Sequence, residues 1–259
     1  MKRKNISLAL IAAVSFSCIW FCGCSEPQEP LGTLLDRATR KAAEGDWTGA
    51  DQLAKRALKQ DPDNADALML LALSRNNLDL RNEAVEYAIR ASRAKPDHFL
   101  PHYIQGMLLS KNGKPDLALR ALKEARRFRP DDVNTLILLV ENSIAVKRYK
   151  DAAGYFKLLA RDQTYRTSPY LWNGLGVCYT ESSPDLALKF YRMAERYGVD
   201  DPCTVLNLGV LHDRYLHQED HEKEARRYYE RFVRIAVGKT EYDSVRGAVE
   251  IRLESMKGN

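Results

Sequence analysis

The sequence predicts an all-α protein, an α-α superhelix of about six helix pairs closed by a C-terminal capping helix. Three observations predict it. Ala50, Ala84, Ala118 and Ala152 stand 34 residues apart; Ala57, Ala91 and Ala125 repeat the interval, and so do Pro62, Pro96 and Pro130, each followed by Asp. A fixed period of this length marks an array in which each unit buries its apolar face by stacking on a neighbour. Between these ladders the apolar residues fall at helical spacing, and no strand-like alternation competes.

The first element is an export signal. Lys2, Arg3 and Lys4 form a basic start, an apolar stretch runs from Ile6 to about Cys22, and a polar run from Ser25 to Pro30 follows Cys24. This is the layout of a secretory leader, and residues 1–23 are set apart from the fold. The alternative is a retained membrane helix, although the stretch is slightly short for a bilayer span of roughly 20 residues. Phe21-Cys22-Gly23-Cys24 resembles the lipobox of bacterial lipoproteins. The resemblance implies lipidation of Cys24, which has the small Gly23 before it. Cys22 follows the bulky Phe21, and Cys18 would leave Ile19-Trp20-Phe21 on the new end. Two or three acyl chains hold a protein at a membrane where one does so only marginally. Ser25 in place of Asp implies, by the same resemblance, an outer-membrane anchor facing the periplasm. Residues 24–30 are then a lipidated tether. Without the leader, 236 residues remain with a formal charge of +2 in place of +5. Such a balance carries no electrostatic footprint for nucleic acid.

The array follows over residues 31–237, in units near 31–64, 65–98, 99–132, 133–168, 169–201 and 202–237, each read as two helices and two turns. In the second unit, Leu68, Leu71, Ala72 and Arg75 lie on the first helix, and Ala84, Ala88 and Ala91 on the next. Pro96 cannot continue a helix interior, because it lacks the donor and clashes with the preceding turn. Turns within units are marked by Gly45-Asp46, Asn76-Asn77, Asn112-Gly113 and Ser182-Ser183-Pro184. Pro115 and Pro184 each open a Pro-Asp-Leu-Ala-Leu word, at a first helical position where the missing N–H costs nothing. The recurrent alanines mark close approaches of two helix backbones.

These residues carry a family resemblance. Trp172, Leu175, Gly176 and Tyr179 are followed by Ala187, Tyr191 and Ala194. Gly45, Trp47, Ala50, Ala57 and Pro62 fit the same frame in the first unit, and Gly106, Gly113, Ala118, Ala125 and Pro130 in the third. The pattern resembles the tetratricopeptide repeat (TPR) and covers residues 31–237. It departs from that repeat in three places. The fourth unit lacks its closing Pro and runs into a lengthened connection from Asp162 to Ser168. The fifth has a turn one residue short. The sixth, opened by Leu208-Gly209 and closed by Ala225, Tyr229 and Phe232, has an inserted turn near 216–223. Modified units read either as drift or as the place where a specific partner is recognised. Residues 238–259 are predicted as the cap, with Val245, Val249, Ile251 and Leu253 mostly on one side, because the last unit would otherwise expose an apolar face.

Signs of chemistry are sparse. There is no phosphate-binding glycine loop, and Gly174-Leu175-Gly176 belongs to the repeat. Cys178 lies mid-helix, which is not how an activated nucleophile is presented. Cys178 and Cys203 read as two buried thiols, with a disulfide in an oxidising periplasm as the alternative. His212, His217 and His221 stand beside Asp213, Glu219, Asp220 and Glu222, and imidazoles with carboxylates can hold zinc. The alternative there is an exposed polar insertion, and no metal site is assigned. His98 and His102 straddle a unit boundary and read as structural. No catalytic residue and no cofactor is predicted, so the chain is expected not to be an enzyme.

What remains is a surface. The TPR resemblance implies that the first helices line a concave groove. Its inward positions fall on Met69, Leu73 and Asn76; Tyr103, Met107 and Ser110; Ile137 and Glu141; Asn173, Val177 and Thr180; and Leu206, Val210 and Asp213. TPR proteins that clamp a terminal carboxylate use paired Lys, Asn and Arg, whereas Leu35, Thr39 and Met69 hold the matching places here. An apolar groove suits an amphipathic helix or an extended peptide, and Met adapts to varied shapes. The alternative is that a terminal helix or the tether covers part of it. The expected function is a lipid-anchored adaptor binding a protein or peptide partner in the envelope. It is similar in repeat number and anchor to the pilotins that help assemble type IV pilus secretins. Adaptors for outer-membrane β-barrel assembly or for cell-wall enzymes are further readings. From another class, the alternative is a metal-dependent enzyme using His217 and His221.

Overall fold

The computed structural model describes residues 29–217 and 220–256. The leader and Cys24 lie outside the described residues. The chain forms α1 (Leu31–Ala43), α2 (Trp47–Gln60), α3 (Ala65–Asn77), α4 (Arg81–Ala94), α5 (Phe99–Lys111), α6 (Pro115–Phe128), α7 (Val133–Ala145) and α8 (Tyr149–Leu159). A single-turn α9 (Gln163–Arg166) occupies the lengthened connection. Then come α10 (Pro169–Tyr179), α11 (Pro184–Tyr197), α12 (Pro202–Arg214), α13 (His221–Ile235), a 3₁₀ turn over Thr240–Tyr242, and α14 (Asp243–Ser255). No strand occurs among the described residues. No helix among them is long and apolar enough to cross a membrane.

Helix starts and stops repeat with the period. Asn64, Asp132 and Asp201 precede α3, α7 and α12, and each side chain accepts an N–H three residues on, from Ala67 (3.0 Å), Thr135 (2.8 Å) and Thr204 (2.8 Å). Such caps contribute about 1 kcal/mol each by satisfying an orphan donor. The turns inside the first four units also share one backbone state. Gly45, Asp79, Gly113 and Lys147, spaced by the repeat, all have positive φ (80°, 60°, 67° and 58°). That left-handed residue lets the first helix end and the second fold straight back.

Packing explains the alanine ladder. Ala50, Ala118, Ala152, Ala187 and Ala225 are fully buried, and Ala84 is 1% exposed. Four residues after each of these alanines except Ala152, a side chain on the second helix faces the first helix of its own unit, and volumes are exchanged across that gap. Leu122 lies over Gly106, Tyr191 over Gly176, and Tyr229 over Gly209; a Cβ on these glycines would come within 2.4–2.6 Å of the facing side chain. In the first two units the small pairs Ala38 with Ala54 and Ala72 with Ala88 hold these places. The fourth unit has Val140 there instead, and Phe156 points into the next unit, where it meets Gly174.

Each helix packs on the next. The first helices also touch one another in a row: α1 with α3, α3 with α5, α5 with α7, and α10 with α12. The exception is α7 and α10, which hardly meet at the lengthened connection that holds α9. At that joint α8 carries the contact to α10.

The cap differs from the sequence expectation. On α14, Val249 and Met256 are buried and Leu253 half-buried, whereas Val245 is 39% and Ile251 74% exposed. Positions 249, 253 and 256 form the i, i+4, i+7 stripe against α13, and Ile251 falls on the opposite side. The expectation for the cysteines is also corrected. Both are free, and Cys178 is buried, but Cys203 is exposed, near the Tyr242 hydroxyl at 3.3 Å. It sits in the first turn of α12.

Candidate peptide groove

The groove positions lie on α3, α5, α7, α10 and α12. Leu73, Asn76, Tyr103, Met107, Ser110, Ile137, Asn173, Val177, Thr180, Leu206 and Val210 are half-buried, and Glu141 is exposed. Intermediate burial on consecutive first helices describes a lining: one side of each residue packs on its own layer and the other faces open space. Two residues stand apart. Met69 is only 8% exposed and belongs to the main core. The Asp213 carboxylate is taken by the cap: Arg252 reaches both of its oxygens (2.6 and 3.0 Å) and the Tyr229 hydroxyl donates to it at 3.1 Å. Asp213 is therefore not free at the C-terminal end of the groove.

Polar side chains tie neighbouring units along the lining. Asn142 Nδ2 donates to Ser110 Oγ at 2.9 Å, and Asn207 Nδ2 to Asn173 Oδ1 at 3.0 Å. Thr180 Oγ1 donates to the Gly176 carbonyl and lies 2.8 Å from the Tyr191 hydroxyl. Tyr103 stacks on Phe99 with ring centres 5.4 Å apart. Partial desolvation raises the Glu141 carboxyl above the usual carboxylate range, although the residue as a whole is exposed. The Tyr170 phenol beside it is pushed up to about 12, first by burial and then by Glu141 and Tyr165. This carboxylate stands at the α7–α10 joint with no ion-pair partner among the described residues.

This row of six helix pairs, with its period and its glycine-aromatic contacts, can be set beside known proteins. Residues 35–97 match the family model of the tetratricopeptide repeat. The chain is similar in structure to YrrB, a TPR protein described as having an unusual peptide-binding site, with a TM-score of 0.62 and 17% identity over 69% of this chain and 97% of that one. It is likewise similar to PilF of Pseudomonas aeruginosa (TM-score 0.59, 19% identity, 84% of this chain and 97% of that one). For MamA the TM-score is 0.58, with 18% identity over 73% and 97% of the two chains. The fold is a tetratricopeptide-repeat solenoid. No curated protein matches the chain by sequence.

A TPR solenoid offers an extended surface for protein–protein contact in place of an enclosed pocket. The histidines of the sequence cluster have different surroundings, and Glu219 of that cluster lies outside the described residues. His212 is buried, stacked on Tyr228, and held below the usual imidazole range chiefly by burial. The His217 and His221 rings meet edge-on at 6.3 Å. Among the described residues no group of three metal-binding side chains forms. His102 contacts the Pro96 carbonyl at 2.7 Å and stacks on Phe128, so it ties two units together. The carboxylate of Glu141 beside Tyr170 was visible in the sequence only as a groove position; its exposure goes with the small contact of α7 with α10.

Proposed function

We propose that the chain is a lipid-anchored adaptor of the bacterial envelope that holds a partner's peptide or helix in the concave face of the TPR array and performs no catalysis. One observation carries this reading: Leu73, Tyr103, Met107, Ile137, Val177, Leu206 and Val210 stay half-exposed on successive first helices although all are apolar. Covering such area releases about 25 cal/mol per Å², which the chain alone leaves unrealised. An amphipathic helix reading i, i+3, i+4 anchors fits a face of this kind. The anchoring half rests on the basic start, the apolar stretch and the Gly23-Cys24 junction. Assembly of an envelope machine such as a pilus secretin is the role this arrangement suits.

The test is in-cell photocrosslinking from Met107 and Val177, with Arg120 on the outer layer as control. The expected result is one envelope protein captured from both groove positions and not from Arg120. Capture from Arg120 alone would move the binding face to the second helices. For the anchor, Cys24→Ala is expected to abolish incorporation of labelled palmitate and release the protein from the outer membrane. Unchanged membrane retention would favour an uncleaved helix.

A further inference from the structure

Two departures from this chain's own repeat meet at one place. Two residues after the recurrent alanine, five second helices carry a long polar side chain: Gln52, Glu86, Arg120, Lys189 and Arg227. Helix α8 alone has a glycine, Gly154, and a Cβ there would meet nothing within 4 Å. A glycine inside a helix costs stability, and here no close contact requires it. At the left-handed turn, the same unit holds Lys147 where the first and third units use Gly45 and Gly113. The second unit has Asp79, a type that tolerates this region; a lysine tolerates it less well.

Both residues line the same cleft. It measures about 770 Å³ and lies between α8 and the end of α10, with Ala153, Cys178 and Tyr179 among its lining. That volume falls in the range of sites that bury a ligand. Three of its ammonium groups, on Lys147, Lys150 and Lys157, have no ion-pair partner among the described residues. Arg148, by contrast, pairs with Asp116 and Asp151 with Lys123. Glu181 is the one carboxylate left unpaired on the rim. Tyr149 and Glu181 also line a smaller hollow with Val177 and Val210, so the cleft opens towards the concave groove.

We propose that this cleft is a second interaction site, which takes an acidic segment of a partner protein. An apolar side chain enters over Gly154, and flanking carboxylates pair with Lys147, Lys150 and Lys157. Charge selects the occupant, since the unpaired ammonium groups repel a basic segment and the apolar lining offers little to a wholly polar one. Glycine at the place of Lys147 and a long polar residue at the place of Gly154, as other units have them, would be more stable, so this unit shows a trade of stability for function.

The test uses the full chain and a short fluorescein-labelled peptide of alternating Glu and Leu, read by fluorescence anisotropy. Lys–Leu and Glu–Ser peptides of equal length are the controls. The Glu–Leu peptide is expected to bind at least about tenfold more tightly than either. Gly154→Gln is expected to cost about tenfold in affinity while Tm stays level or rises. Lys150→Glu combined with Lys157→Glu should weaken binding similarly, and Met107→Glu in the concave groove should leave it unchanged. Failure of the Glu–Leu peptide to bind, equal binding of Lys–Leu, or full affinity in Gly154→Gln would overturn the proposal. So would phosphatidylglycerol vesicles binding through these lysines with no peptide bound, since the rim would then be a lipid contact.

Discussion

Volume exchanged across a helix pair decides what single substitutions do in this chain. A Cβ on Gly176 would lie 2.4 Å from the Tyr191 ring, whereas one on Gly247 of α14 would meet nothing within 4 Å. Gly176→Ala is therefore expected to destabilise by about 1–3 kcal/mol through overpacking. Gly247→Ala should stabilise by roughly 0.5–1 kcal/mol through helix propensity alone. Urea midpoints of the two variants should move in opposite directions; a shared direction would mean that the glycine-aromatic contact is not tight. Ala118, fully buried at the same kind of approach, should lose about 1–3 kcal/mol as Ala118→Leu.

Between elements, charge decides two contacts. The α2–α3 joint holds Asp51, 6% exposed, against Arg75, whose Nε lies 2.6 Å from Oδ1, while Nη2 donates to Oδ2 at 3.4 Å. The shorter contact is an ion pair whose N–H is not aimed at the oxygen, so it fixes charge more than direction. Lys55 also reaches Asp51 at 2.8 Å. Removing one partner of a buried pair costs about 3–5 kcal/mol. With Lys55 still present, Arg75→Ala should fall near the lower end, about 3 kcal/mol, read from chemical denaturation. The second contact is the cap. The Asp213 carboxyl is buried, which by itself would raise its pKa, but Arg252 and Tyr229 hold it below the usual carboxylate range. A depressed carboxyl stabilises fully above its unfolded value of about 3.9, and that contribution is lost as pH falls through the folded value. Hydrogen-exchange protection factors in α14, taken against the intrinsic rate at each pH, should therefore fall on acidification below about pH 4. Asp213→Asn should raise exchange at neutral pH and remove that acid step; an unaltered pH profile would disconnect the cap from this pair.

For the molecule as a whole, stability in a stacked array is close to a sum of unit and nearest-neighbour terms. The weakest row contact is α7 with α10, and Phe156 against Gly174 bridges that joint. Phe156→Ala should cost about 3–5 kcal/mol and loosen the coupling between the first four units and the last two. Trp47 reports the first part and Trp172 the second. Their fluorescence transitions in urea should coincide in the parent chain and separate in the variant. The same joint exposes Glu141 and opens the cleft lined by Lys147 and Gly154, so the site of lowest coupling is also the site of least regular surface.

The sequence by itself determined the helix pairs, because period, proline and alanine are local signals that each unit repeats. The groove positions are what the tetratricopeptide-repeat resemblance implies once it is laid on that register, since a helix face is fixed once its phase is known. Only the tertiary structure decided which of them are free: Met69 sinks into the core and Asp213 is claimed by Arg252, a residue 39 positions away. It also decided that Ile251 faces outward and that Cys203 is exposed, since both depend on where a neighbouring helix stops. The α7–α10 gap and the cleft lie in the part of the array where the connection that holds α9 is lengthened. A local pattern shows that the turn is longer; the direction in which it moves the next helix is set by everything that helix packs against.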